Sequence, residues 1–194
     1  MEEMDAFSME VYMEERGLLC FLSEETVSAH KEYARSLCCA EEAHRKGVAY
    51  DGRPLISLYR ARRRADTAVL YRCAVESAAH ALYFSSFTDY PTVDGAFCQR
   101  FGGVTAFFQR VMEAAEASVT FLFVGVDRRG ELLLSSDIEP FLRQGRMPHL
   151  CLDLFEHAYL FDYGFRRDAY LRAAIGHLDV GRLLTEEAQR VRKM

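Results

Sequence analysis

Tryptophan is absent from this chain of 194 residues, and glycine (12) and proline (4) are scarce. That composition excludes collagen-like and low-complexity architectures. No apolar run approaches the ~18 residues of a membrane-spanning helix, so no membrane partner is expected. Basic charge is also short, with 24 Lys and Arg against 29 Asp and Glu and a net charge of −5. Non-specific nucleic-acid binding rests on basic patches, so that class is set aside too. Cysteine is present at 20, 38, 39, 73, 98 and 151, but no Cys-x-x-Cys occurs and adjacent Cys38 and Cys39 do not form a zinc pair. The acidic start, Met1-Glu2-Glu3-Met4-Asp5, fits neither a secretory nor a mitochondrial leader. The expected compartment is therefore the cytoplasm, with free thiols.

With half of its residues hydrophobic, a chain of this length buries roughly 70% of its unfolded surface and needs no disulfide or metal merely to fold. The first half reads as helix. Ser23 can cap a segment that runs to Gly47, with Glu25 and Thr26 in its first turn. Pro54 suits the first turn of a second helix, predicted to continue to about Phe87. The short link at Val48–Arg53 makes these two an antiparallel hairpin. The basic run Arg60, Arg62, Arg63, Arg64 reads as a solvated face. A break around Thr88–Gly95 marks a boundary, giving a helical domain over 1–90 and a second domain over 91–194.

The second domain is predicted to open with a helix from about Phe97 to Ala117, with Phe101, Val104, Phe108, Val111 and Ala115 near helical spacing. The texture then changes to β-branched and aromatic residues. Strands are expected at Val119–Val126, Glu131–Ser136 and His149–Leu154, the first two joined by a turn at Asp127–Gly130. A final helix is expected from about Glu156 to Leu184. The fold class is α+β, a long helical hairpin followed by a small three-stranded antiparallel sheet with helices.

The chemistry concentrates after the last strand, in Asp153-Leu154-Phe155-Glu156-His157-Ala158-Tyr159. Asp153 and His157, four apart at a strand-to-helix junction, can converge on one metal ion. Taken alone, the pair is a weak signal and reads more readily as a surface pair or a satisfied core histidine. His30 lies one turn into the first helix and His80 near the end of the second, among Ala78, Ala79 and Ala81. An antiparallel hairpin brings those two ends together. Each histidine alone also reads as a structural core residue.

With these residues together, the sequence resembles the iron/manganese superoxide dismutases from about residue 15 to 185. Asp153–Arg167, DLFEHAYLFDYGFRR, resembles that family's C-terminal signature, and Leu22–His30, LSEETVSAH, the stretch before its first ligand. The resemblance implies His30, His80, Asp153 and His157 as metal ligands, with solvent as a fifth. It implies one Fe or Mn per chain, superoxide as substrate, and a homodimer in which Glu156 reaches the partner's ligand corresponding to His157.

Several surrounding positions depart from the family. Cys38 stands where a channel tyrosine is usual and Ala34 where a histidine is common. Glu76 replaces the glutamine that, in the iron type, hydrogen-bonds the bound solvent. The manganese type takes that glutamine from a position that is Asp137 here. Phe155, Val119 and Phe121 stand where the family has tryptophan, and Leu160 replaces a tyrosine. Glu76, Cys38 and Arg167 are accordingly the candidate catalytic residues, Arg167 by steering the superoxide anion. Two functions follow as expectations: a superoxide dismutase, or a protein of the same fold that binds metal or partners with weak or lost dismutation. A carboxylate-bridged di-iron bundle is a third and poorer reading. Both Glu76–His80 and Asp153–His157 are spaced i, i+4 rather than i, i+3, and a bundle has no place for the sheet.

Overall fold

The computed structural model describes residues 19–47, 55–62 and 65–184. The predicted Val48–Arg53 link, Pro54, Arg63, Arg64 and the acidic start lie outside the described residues. Helix α1 (Glu24–Gly47) packs on α3 (Ala65–Ser85), which follows a short helix α2 (Leu55–Ala61). The α1–α3 pair is antiparallel. The His30 and His80 rings lie 5.2 Å apart, and farther along α1 Cys38 Sγ lies 3.9 Å from Ser77 Oγ, farther back on α3.

The second helix of the hairpin is thus two segments rather than one. Arg62, at the end of the first, is not part of a solvated face. Its guanidinium spans both carboxylate oxygens of Glu139, at 3.1 and 3.2 Å, and lies 3.8 Å over the Tyr59 ring. A bidentate pair of this kind fixes orientation as well as adding energy.

The predicted helix over Phe97–Ala117 is likewise divided, into α4 (Gly95–Phe101) and α5 (Val104–Glu116). Gly102 and Gly103, at φ 79° and 91°, occupy the left-handed region between them. Asp94 starts α4 by accepting from the Phe97 N–H at 2.8 Å. The break rotates the buried face to Phe107, Val111 and Ala115, leaving Val104 and Phe108 only half-buried.

Strands β1 (Phe121–Val126), β2 (Leu132–Ser135) and β3 (Leu150–Asp153) form an antiparallel sheet in the order β2-β1-β3. Every residue of the central strand is buried. At Gly125 a Cβ would meet Phe141 Cε1 at 2.7 Å and His149 Nδ1 at 2.9 Å, so only glycine fits without movement. A short α6 (Glu139–Leu142) lies between β2 and β3.

The expected closing helix is also interrupted. A 3-10 turn (Glu156–Ala158) leads to α7 (Leu160–Tyr163) and then α8 (Arg167–Gly176), with Gly164 at φ 57° between the two helices. The end of α3 is sewn to the sheet and to the segment after α8. Ser86 Oγ accepts from the Cys151 N–H at 2.7 Å, and the Ser86 carbonyl accepts from the Asp179 N–H at 2.8 Å. These bonds set β3 against the helix that carries His80.

Candidate metal centre

Each side chain of the centre is delivered by a separate local device. Ser23 caps α1, its Oγ accepting from the Thr26 N–H at 3.2 Å, while its own N–H donates to Asp162 Oδ2 at 2.8 Å. That second bond ties the start of the His30 helix to α7. His80 donates its Nδ1–H to the Glu76 carbonyl, one turn back, at 2.8 Å. A carbonyl can only accept, so this bond selects the tautomer in which Nε2 is bare. Asp153 ends β3, and its Oδ1 accepts from the Phe155 N–H at 2.9 Å. This bond shapes the turn that brings His157 back beside it and leaves Oδ2 for the site.

Three imidazoles gather on that oxygen. The Nε2 atoms of His30, His157 and His80 lie 3.0, 3.1 and 3.3 Å from Asp153 Oδ2. One ligating atom from each of the four residues lies within 4.8 Å of all the others. His30, His80 and Asp153 are buried, whereas the His157 side chain is 30% exposed.

Burial opposes the charge on Asp153, but hydrogen bonds from His157 and His30 outweigh it and hold the carboxyl down to about 2. Burial lowers His30 and pushes His80 down to about 4, against the attraction of Asp153. At neutral pH the group therefore presents a carboxylate together with neutral His30 and His80.

The donor set suits a metal ion on direct structural grounds. The bare Nε2 of His80 faces a carboxylate oxygen at 3.3 Å and His157 Nε2 at 3.5 Å. Two lone pairs directed at each other repel, and a cation between them removes the conflict. Three imidazoles and one carboxylate suit a borderline ion such as iron or manganese.

Residues 90–182 match the family described as iron/manganese superoxide dismutases, C-terminal domain. The C-terminal half of the chain belongs to the iron/manganese superoxide dismutase family. No curated protein matches the chain. Superoxide dismutases of this family use iron or manganese, act on superoxide and commonly dimerise. The matched segment contains Asp153 and His157, whereas His30 and His80 come from helices outside it. No helix among the described residues is long and apolar enough to cross a membrane.

The departures from the superoxide dismutase pattern are resolved unevenly. Glu76 contributes its carbonyl to the site, while its side chain is exposed and is not among the four that converge. Cys38 is half-buried in the α1–α3 contact, its thiol raised by burial. Arg167 donates to the Ala115 and Ser118 carbonyls, at 3.1 and 2.5 Å, fastening the start of α8 to the end of α5. Neither partner belongs to the four-residue group. Asp137 instead forms a local turn, accepting from the Glu139 N–H at 2.9 Å. Glu156 is exposed beside His157.

Aromatic rings surround the imidazoles. Tyr83 and Phe84 lie 4.9 Å from His30, Phe121 lies 5.4 Å from His80, and Phe155 stacks at 5.4 Å from His157. Tyr33 stands 4.5 Å from the His157 ring and 5.4 Å from that of His80. Burial raises its phenol, assisted by the negative charges of Glu76 and Asp153. Helical spacing held the signal, because i and i+3 share a face and Tyr33 is three residues past His30.

Proposed function

We propose that the chain is a superoxide dismutase that holds one iron or manganese ion on His30, His80, Asp153 and His157. The observation that carries this reading is the bare Nε2 of His80 aimed at Asp153 Oδ2, with the His30 and His157 Nε2 atoms on the same oxygen. When bound, the ion supplies a reversible one-electron change, so that two superoxide anions and two protons become O2 and H2O2. The chain's own residues do the rest. The Glu76 carbonyl holds His80 in the tautomer able to ligate, and Phe121, Phe84 and Tyr83 keep water from the buried side. The half-exposed His157 leaves the side by which a small anion enters.

The proposal extends to a division near residue 90, supported by the start of the family match there, and to a cytoplasmic homodimer. Phe161 and Phe165 are 73% and 94% exposed a few residues beyond Glu156 and His157. Large exposed apolar side chains beside a site favour a protein partner, and in the proposed dimer the exposed Glu156 approaches the partner's copy of the centre. In this reading Arg167 fixes α8, Glu76 sets the charge at the rim beside Tyr33, and Cys38 packs between helices.

Metal analysis and a dismutation assay on the same purified sample test the proposal. It expects about one Fe or Mn per chain and dismutation with at least one of them. Protein loaded with either metal and inactive with both would refute it. A second reading, a metal-binding or interaction protein of this fold with weak dismutation, is favoured by the exposed carboxylate of Glu76 and the thiol of Cys38 at the substituted positions. A large gain in activity from Glu76→Gln with Cys38→Tyr identifies that case. A wild type already near diffusion control eliminates it.

A further inference from the structure

The three imidazoles of the centre are held to very different degrees. His30 is fully buried and walled by Tyr83 and Phe84. His80 is anchored from behind by its bond to the Glu76 carbonyl. His157 rides on a three-residue 3-10 turn, is 30% exposed, and makes its polar contacts through Nε2, to Asp153 and His80. Those contacts all lie on the metal-facing nitrogen, so they do not fix the plane of the ring. Within the chain, ring contacts do so, and they come from Phe155 at 5.4 Å, nearly parallel, and from Tyr33 at 4.5 Å.

Tyr33, 42% exposed, and Phe155, 36% exposed, differ from the buried Tyr83, Phe84 and Phe121. A tyrosine so open to water gains little by burial, so core packing does not explain its place over two imidazoles. Its ring touches one histidine from a helix and one from the turn after the sheet. It thereby links α1, which carries His30, to the more exposed end of the ligand set. Ala34, the next residue, is buried and offers only a methyl group, so the cover on this side of α1 comes from Tyr33.

Building on the metal-holding reading above, we propose that Tyr33 is a positioning residue, its aromatic face holding the His157 imidazole in register with Asp153. The contact is made by the ring and not the hydroxyl. Phenylalanine therefore serves as well, whereas an aliphatic side chain of similar bulk does not. Groups that orient a ligating histidine without touching the metal typically govern affinity by about 10–100-fold.

The test compares wild type, Tyr33→Ala, Tyr33→Phe and Tyr33→Leu. The first readout is the rate at which bound Mn(II) passes to excess chelator, followed by the resonance of the free ion. The second is the His30 and His157 imidazole NMR signals of the metal-free protein, which need no metal. Tyr33→Ala and Tyr33→Leu are expected to release Mn(II) about tenfold faster and to shift the His157 signals while those of His30 stay in place. Tyr33→Phe is expected to match wild type in both. Equal release from Tyr33→Ala and wild type, with His157 unmoved, would overturn the proposal. So would Tyr33→Leu behaving as wild type, because bulk alone would then suffice. Wild type that takes up neither Mn(II) nor Fe(II) overturns the metal-holding reading instead, and the His157 shift still decides the role of Tyr33. The leucine variant and its circular dichroism guard against a folding defect in the alanine variant.

Discussion

The helical half and the sheet half of the molecule each deliver two side chains to the centre, and they do so by opposite means. His30 and His80 stand on long helices, 50 positions apart in sequence, and meet only because α1 and α3 pack antiparallel. Asp153 and His157 are four apart and are brought together by one tight turn, closed by the Phe155 N–H on Asp153 Oδ1. The helical pair is buried, while the sheet pair spans the range from full burial at Asp153 to 30% exposure at His157. The difference teaches that rigidity is supplied by tertiary packing and proximity by local chain geometry. A working centre of this type needs both.

The sharpest way to break the comparison is to remove the residue that joins the halves. Asp153 Oδ2 touches all three imidazoles, so Asp153→Asn, which keeps shape and loses charge, is expected to weaken Mn(II) or Fe(II) binding by more than ~100-fold. Chelator competition measures this. Retained affinity would mean that the histidines suffice.

Acid should act next, and through the helical half first. In the folded chain His80 is pushed down to about 4, from 6.5 when unfolded. Below pH 6.5 the unfolded chain takes the proton first. His80 therefore contributes stability that is fully present above 6.5 and lost as the pH falls through about 4. The loss is on the order of 3 kcal/mol. Asp153, depressed from 3.8 to about 2, adds stability present above 3.8 and lost as the pH falls through about 2. Urea midpoints of metal-free protein at stepped pH should fall in that order.

Truncation of one histidine from each half separates rigidity from proximity. His80→Ala opens a cavity in a packed interior and should destabilise metal-free protein by about 2 kcal/mol or more. His157→Ala, at a partly open position, should cost less than about 1 kcal/mol. Both should lose metal. Two controls fall away from the centre. Gly125→Ala drives a methyl into Phe141 and His149 and is expected to cost about 1–3 kcal/mol with metal content unchanged. Arg167→Ala removes the tie between α8 and α5, at about 1 kcal/mol. A large fall in dismutation with no change in stability would instead give Arg167 the anion-steering role that its sequence position suggested.

The same contrast explains what could be read in advance. The Asp153–His157 pair and its neighbours form a contiguous signature, and the three strands follow from β-branched and aromatic runs bounded by turns, so both were legible. His30 and His80 were legible by order and topology, since a hairpin brings those ends together. The helix breaks were missed for physical reasons that can be named. Gly102-Gly103 and Gly164 adopt positive φ inside apolar patterns that otherwise read as continuous, and periodicity alone does not register a change of axis. Glu76 was assigned by the role of its side chain, whereas the centre uses its carbonyl, an atom every residue has. Arg62 reads as a solvated charge because its partner, Glu139, lies far away in sequence, and the two carbonyls that Arg167 meets are equally distant.

The spacing of the centre bears on when an ion can be acquired. His30 and Asp153 are 123 residues apart. While the ribosome is still extending the chain, a nascent fragment ending before β3 carries only two of the four grouped side chains, His30 and His80. On the metal-holding reading, an ion can be closed in only after the chain has been extended past His157.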